Sequence, residues 1–126
     1  MCSIPSPYIL IVDDSADNLF LLQTLLQAEG YNIEVADSGH SALEKVENSP
    51  PALILMDVMM PDMSGYEVTQ QIRQNQALSS IPILLVTAYS ETDARQGLSL
   101  GANDFIRKPI DFDQLLSRIE AFLKPS

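Results

Sequence analysis

Basic charge is scarce in this 126-residue chain: seven lysines and arginines stand against 17 acids, a formal net charge of -10. Such an average field repels phosphate backbones and disfavours direct nucleic-acid binding by the domain. Cysteine is rarer still. The single Cys2 lies in the N-terminal tail, which rules out an internal disulfide and a cysteine-based zinc site and fits a reducing compartment. Long apolar runs are missing too. None nears the roughly 18 residues of a membrane span, and Met1-Cys2-Ser3-Ile4-Pro5-Ser6-Pro7 has neither the basic nor the apolar region of a signal peptide. The expected location is the cytoplasm. The length leaves no room for a second domain, yet 46% hydrophobic residues suffice for a core without disulfide or structural metal. One domain over residues 1–126 is expected, its core running from about residue 8 to 123 and residues 1–7 forming a tail.

What is present is a regular alternation. Tyr8 to Val12, Leu53 to Met56, Ile83 to Val86 and the shorter Phe105-Ile106 are near-continuous apolar runs, the pattern of strands covered on both faces. Asn32 to Ala36 alternates more, as an edge strand does. Between them, Leu19, Leu22, Leu25 and Leu26 repeat at helical spacing from about Asp17 to Glu29, with Gly30 as a stop. Ser41 to Glu47 is a second helix candidate before the Pro50-Pro51 loop. Ser64 with Glu67, and more weakly Ser90 with Asp93, have capping-box spacing, and Asp111 can cap a last helix carrying Leu115, Leu116, Ile119 and Leu123. The order βαβαβαβαβα predicts an α/β fold: an open, doubly wound parallel sheet with helices on both faces. Its ligand site should lie at the carboxyl ends of the strands.

Those ends carry Asp13-Asp14, Asp57, Thr87 and Arg107-Lys108-Pro109. Singly, each has an ordinary use, because Asp caps helices, Thr ends strands and Lys is solvated. Together they place three carboxylates on one rim. Two unit charges 4 Å apart repel by about 1 kcal/mol in bulk water and about 4 kcal/mol at a protein-surface dielectric. A hard divalent cation offsets that, and carboxylate, carbonyl and water oxygens suit Mg²⁺. Lys108 supplies a mobile positive charge. The residues point to a site for Mg²⁺ and a doubly charged phosphoryl group.

Ile11-Val12-Asp13-Asp14, Asp57-Val58-Met59-Met60-Pro61-Asp62-Met63-Ser64-Gly65, Val86-Thr87-Ala88, Gly101-Ala102-Asn103-Asp104-Phe105 and Lys108-Pro109 closely resemble the receiver domain of two-component response regulators, in register from Tyr8 to about Leu123. The resemblance implies a flavodoxin-like (βα)5 three-layer sandwich with strand order 2-1-3-4-5. It implies a phosphoacceptor rather than a turnover enzyme, with Asp57 as the nucleophile that takes a phosphoryl group from a histidine of a sensor kinase or phosphotransferase. Asp14 resembles a direct Mg²⁺ ligand, beside an Asp57 oxygen and the Met59 carbonyl, with Asp13 acting through water; Mn²⁺ can substitute. Lys108, the Thr87 hydroxyl and the Ala88 backbone N–H would bind phosphoryl oxygens.

The resemblance also implies a switch, in which Thr87 moves inward and the aromatic residue three before the lysine follows. That residue is Phe105, where the family more often has tyrosine; without the hydroxyl the coupling rests on packing. The fourth helix candidate, about Thr92 to Leu100, contains Gly97 and only Ala94 and Leu98 as an apolar stripe, so it is lightly anchored. With the fifth strand and fifth helix it is the expected output face for an unidentified downstream protein, the domain being a monomer or a phosphorylation-dependent dimer. Met59 and Tyr89 border the path of hydrolytic water in the family and should set phosphoryl lifetime. A cis Lys108-Pro109 peptide is common in receivers.

Other features read as ordinary. His40, the lone histidine, is expected on a helix surface, since the sequence places nearby no partners for a phosphohistidine or metal role, and Met56, Met59, Met60 and Met63 are expected to pack rather than bind metal. Asn18, Phe20 and Leu21 are candidates for kinase contact, although Phe20 or Leu21 could equally be core. A flavodoxin-type electron carrier would need a neutral loop after the first strand, which Asp13-Asp14-Ser15-Ala16-Asp17 is not. A haloacid-dehalogenase-type phosphohydrolase would need a second aspartate where Met59 stands. A receiver-like module that is never phosphorylated usually lacks one of the acids, the threonine or the lysine, and this chain has all of them.

Overall fold

A computed structural model describes residues 8–87, 99 and 101–123. In chain order they form β1 (Ile9–Val12), α1 (Ala16–Ala28), β2 (Ile33–Ala36), α2 (Gly39–Asn48), β3 (Leu53–Asp57), α3 (Gly65–Gln74), β4 (Ile83–Thr87), β5 (Asp104–Arg107) and α4 (Phe112–Leu123). The five strands make one parallel sheet in the order β2-β1-β3-β4-β5, the doubly wound topology expected. The fourth helix candidate of the sequence, Thr92 to Leu100, falls largely outside the described residues, as do Ala88 and Tyr89; α4 is therefore the fifth of the predicted helices.

Continuous apolar strands follow from coverage on two faces, since successive side chains point to opposite sides of a sheet. Leu10, Val12, Ile54, Met56, Ile83 and Leu85 share one buried cluster with Ala42 and Val46 of α2 and Val68 and Ile72 of α3. Ile9, Ile11, Leu53, Leu55, Leu84 and Val86 share the other with Leu19, Leu22 and Leu26 of α1 and Leu115 and Ile119 of α4. Helices thus sandwich the sheet. At the β2 edge Ala36 still joins the first cluster and Ile33 the second, but Glu34 is exposed.

Helix starts follow local chemistry. Ser64 accepts from the Glu67 N–H at 3.2 Å and Asp111 from the Asp113 and Gln114 N–H groups, the caps predicted. α1 stops where Gly30 adopts φ +95, a conformation glycine enters without strain. α2 begins earlier than its apolar pattern indicates, at Gly39, because Ser38 accepts from the Ser41 N–H and caps it. On α1, Phe20 is 72% and Leu21 55% exposed, so neither is core. Met56 is fully buried, and Met60 and Met63 pack against the first cluster.

Candidate functional site

Strand register assembles the rim. Val12 pairs with Met56, which sets Asp13 beside Asp57; Asp57 pairs with Val86, and Thr87 with Arg107. The backbone continues the alignment past the strand ends, with the Val58 N–H on the Val86 carbonyl at 3.1 Å and the Lys108 N–H on the Thr87 carbonyl at 2.8 Å. Asp13, Asp57, Thr87 and Lys108 therefore stand side by side at the carboxyl ends of four neighbouring strands of the sheet. Asp14 joins them from the loop after β1.

Each of Asp13, Asp14 and Asp57 places a carboxylate oxygen within 4.8 Å of the others. Asp13 and Asp57 are each only 5% exposed, whereas Asp14 faces solvent. Lys108 Nζ donates to Asp57 Oδ2 at 3.2 Å, and the Met59 N–H donates to Asp57 Oδ1 at the same distance. Asp13 is held just as firmly: its Oδ1 accepts from the Ser15 N–H at 2.9 Å and its Oδ2 from Asn18 Nδ2 at 3.3 Å. Asn18 therefore serves the acidic cluster, a role its exposed position on α1 gave no hint of. The Lys108-Pro109 peptide is cis. Phe105 is half-buried against the α2/α3 side of the core.

The loop from Val58 to Ser64 closes tightly over the end of β3. Gly65 donates to the Val58 carbonyl at 2.9 Å, and a Cβ at position 65 would lie 2.6 Å from the Asp57 carbonyl oxygen. Only glycine permits that approach. It brings the start of α3 against Asp57, just as α1 starts directly after Asp13 and Asp14. The result is an open cleft of about 480 Å³ lined by the three aspartates, Ser15, Asn18, Met59, Met60, Pro61 and Lys108. A second groove of about 300 Å³, walled by Leu21, Leu22, Leu25, Ile110 and Phe112, shares Asp13, Asn18, Asp57 and Lys108 with it. Sequence alone gave no sign of that apolar approach.

The donor set fits a hard divalent cation. Three carboxylates and the nearby loop carbonyls are oxygen ligands, with no thiolate or imidazole among them. Electrostatics agree. Burial, opposed by the Ser15 N–H and reinforced by the charge of Asp57, raises the Asp13 carboxyl above its ordinary 3.8. A carboxyl raised on folding is most stabilising when protonated. Its contribution is complete below about pH 3.8 and is lost as the pH rises through the folded value, so at neutral pH ionised Asp13 is a net cost. Asp13→Asn keeps an oxygen for the Ser15 N–H, and the Asn18 amide can turn to present its own oxygen. Thermal melts at pH 7 without divalent cations should show Asp13→Asn melting about 3–5 °C higher, reflecting roughly 1 kcal/mol of relieved burial cost and repulsion. An unchanged or lower Tm would mean that the carboxylates do not strain the fold.

His40 is exposed in the first turn of α2, the helix-surface position expected of it. Its Nδ1 lies 2.8 Å from Asp62 Oδ2, so it has a partner, brought from 22 positions away by the β3–α3 loop.

Comparison with known proteins matches residues 9–120 to the response regulator receiver domain. The response regulator ArlR of Staphylococcus saprophyticus is 41% identical over 117 residues, covering 92% of this chain and 52% of that protein. The alkaline phosphatase synthesis transcriptional regulatory protein PhoP of Bacillus subtilis is 41% identical over 119 residues, covering 94% of this chain and 49% of that protein. The chain thus spans about half the length of these relatives. The structure of the chemotaxis protein CheY4 from Vibrio cholerae superposes with a TM-score of 0.87 at 31% identity, covering 94% of this chain and 100% of that one.

Proposed function

The chain belongs to the response regulator receiver domain family of two-component systems, and from that premise we propose that it accepts a phosphoryl group on Asp57 and switches a docking surface in response. The observation that carries the reading is a buried Asp57 held between Lys108 and two further carboxylates at the mouth of an open cleft. Asp14, Asp57 and the Met59 carbonyl would hold Mg²⁺ or Mn²⁺, with Asp13 acting through water. When bound, the cation would supply charge neutralisation for the acceptor and the transferring phosphoryl group.

The chain's own groups do the rest. Asp57 Oδ attacks phosphorus as the P–N bond to a donor histidine breaks; the imidazole leaves with the bonding pair and takes up a proton. Lys108 neutralises a phosphoryl oxygen, and the Thr87 hydroxyl and Ala88 N–H bind the others. The protein's task is positioning and charge balance. The donor is a histidine of a sensor kinase or phosphotransferase, and the apolar groove beside α1, edged by exposed Leu21, suits a helical partner that brings that histidine over Asp57. Recruitment of Thr87 by the phosphoryl group, with Phe105 following, would alter the face around β5 and α4 for a downstream protein. Met59, 58% exposed at the cleft, and Tyr89 would govern access of hydrolytic water.

Incubation of the purified chain with acetyl phosphate should produce, in the presence of Mg²⁺ but not of a chelator, an intact-mass increase of one phosphoryl group. The adduct should survive acid and be lost in base, as an acyl phosphate is. No adduct under conditions where Mg²⁺ is shown to bind would favour a non-phosphorylated interaction module.

A further inference from the structure

The β3–α3 loop is anchored at its ends by the Val58 N–H on Val86 and the Gly65 N–H on Val58, but its crown, from Met59 to Asp62, stands out from the sheet. Met59, Pro61 and Asp62 are all exposed. Asp62 reaches from this crown to the first turn of α2. Its Oδ1 accepts from the Gly39 N–H at 3.3 Å, its Oδ2 accepts from the His40 N–H at 3.3 Å, and the same Oδ2 lies 2.8 Å from His40 Nδ1. Below this bridge the packing is close: a Cβ on Gly39 would fall 2.8 Å from Met63 Cβ and 3.0 Å from Val68 Cγ2. The start of α2 and the end of the loop therefore cannot slide past one another freely.

We propose that Asp62 is a positioning residue for the cation site, clamping the loop crown to α2 so that the Met59 carbonyl is held for the metal. This rests on the phosphoacceptor reading above. Met59 and Asp62 are three positions apart, and between them Pro61 has its φ fixed near −65°, so the stretch that joins carbonyl and clamp has few free torsions. Release of the Asp62 end lets the crown rotate, and the carbonyl with it. The clamp is well founded electrostatically. A carboxylate at a helix N-terminus meets two backbone donors and the positive end of the helix dipole, and the hydrogen bond from His40 is the main cause that draws the Asp62 carboxyl down to about 2. The carboxylate is thus ionised wherever the protein would work.

Linkage makes the clamp visible from its far end. If the crown orders the cation site, the cation must in turn bias the crown, and His40 is the only histidine in the chain. Its imidazole Cε1–Hε1 signal in the untagged protein is therefore a single reporter. Mg²⁺ is titrated into the wild type, Asp62→Ala, Asp62→Asn and His40→Gln by isothermal calorimetry, with the His40 signal followed in parallel and folding checked by circular dichroism. The wild-type imidazole signal should move with Mg²⁺ saturation. Loss of an outer-shell group that orients a ligand typically weakens metal binding 10- to 100-fold; acting through three residues of backbone, Asp62→Ala should raise the Mg²⁺ Kd by about 5- to 10-fold and uncouple the His40 signal. Asp62→Asn retains an acceptor for the α2 N–H groups and should recover part of the affinity, and it carries the test if the alanine variant does not fold. His40→Gln should cost less than Asp62→Ala, because the two backbone bonds persist. A folded Asp62→Ala with the wild-type Mg²⁺ Kd, or an imidazole signal indifferent to Mg²⁺ in the wild type, overturns the clamp and leaves the phosphoacceptor reading intact. A wild type that binds no Mg²⁺ overturns both.

Discussion

Asp57→Asn is expected to abolish phosphoryl acceptance, reducing adduct formation from acetyl phosphate by at least about 100-fold, roughly 2.7 kcal/mol of barrier or more, while leaving the fold in place. An amide nitrogen or oxygen cannot replace an ionised carboxylate as nucleophile, and the neighbouring acids cannot take over its position. Both oxygens of Asp13 already accept hydrogen bonds, from the Ser15 N–H and Asn18, and burial favours its protonated form. Asp14 is exposed, and the Lys108 ammonium, which in the proposed reading meets the incoming phosphoryl group, is paired with Asp57 Oδ2. The substitution is nearly isosteric, so it opens no cavity. It loses one ion pair and relieves repulsion with two neighbouring carboxylates, terms of opposite sign. Intact mass over time, with a circular dichroism melt on the same sample, checks both halves. An adduct of wild-type amount on Asp57→Asn would move the nucleophile elsewhere and remove the reading with it.

Much of that site was legible before the structure, and the reason is physical. A strand buried on both faces reads as an unbroken apolar run, and whatever polar residue ends it must stand on the rim; Asp13, Asp57, Thr87 and Lys108 all follow from that one rule. The resemblance to receiver domains supplied strand order and roles that periodicity alone does not carry. What stayed hidden depends on which face or loop meets which. Leu19-Phe20-Leu21-Leu22 is apolar at four successive positions, so although helical spacing picked out Leu19 and Leu22, which are buried, it could not tell whether Phe20 and Leu21 joined them, and both are exposed. Gly39 and His40 are poor helix formers, which concealed the true start of α2 behind Ser38. The Asp62–His40 contact arises only when the β3–α3 loop folds over the end of a helix 22 positions earlier in the chain, and no local pattern encodes that meeting.

Lys108→Ala should act in two opposite directions. Its ammonium lies 3.2 Å from Asp57 Oδ2, with the lysine side chain about one-third exposed and the aspartate almost wholly buried. In the metal-free protein it offsets part of the mutual repulsion of three carboxylates. Once a divalent cation occupies the cluster, the same ammonium is a like charge: a unit charge within a few ångströms of a divalent ion costs about 1–2 kcal/mol even at the dielectric of water. Its removal should therefore tighten Mg²⁺ binding roughly tenfold. Phosphoryl transfer has the opposite need. Charge on the transferring oxygens must be met by fixed donors, and loss of one such donor from a preorganised site typically costs about 100- to 1,000-fold in rate. Calorimetric Mg²⁺ affinity should thus rise while the initial rate of adduct formation at saturating Mg²⁺ falls by about 100-fold or more. Lys108→Arg should keep the low, wild-type-like Mg²⁺ affinity, since the charge remains, yet recover only part of the rate, because a planar guanidinium does not replace a mobile point donor at a bound phosphoryl oxygen. A parallel loss of both affinity and rate in Lys108→Ala would make the lysine a support of the fold; the divergence is what a group that balances phosphoryl charge against metal charge must produce.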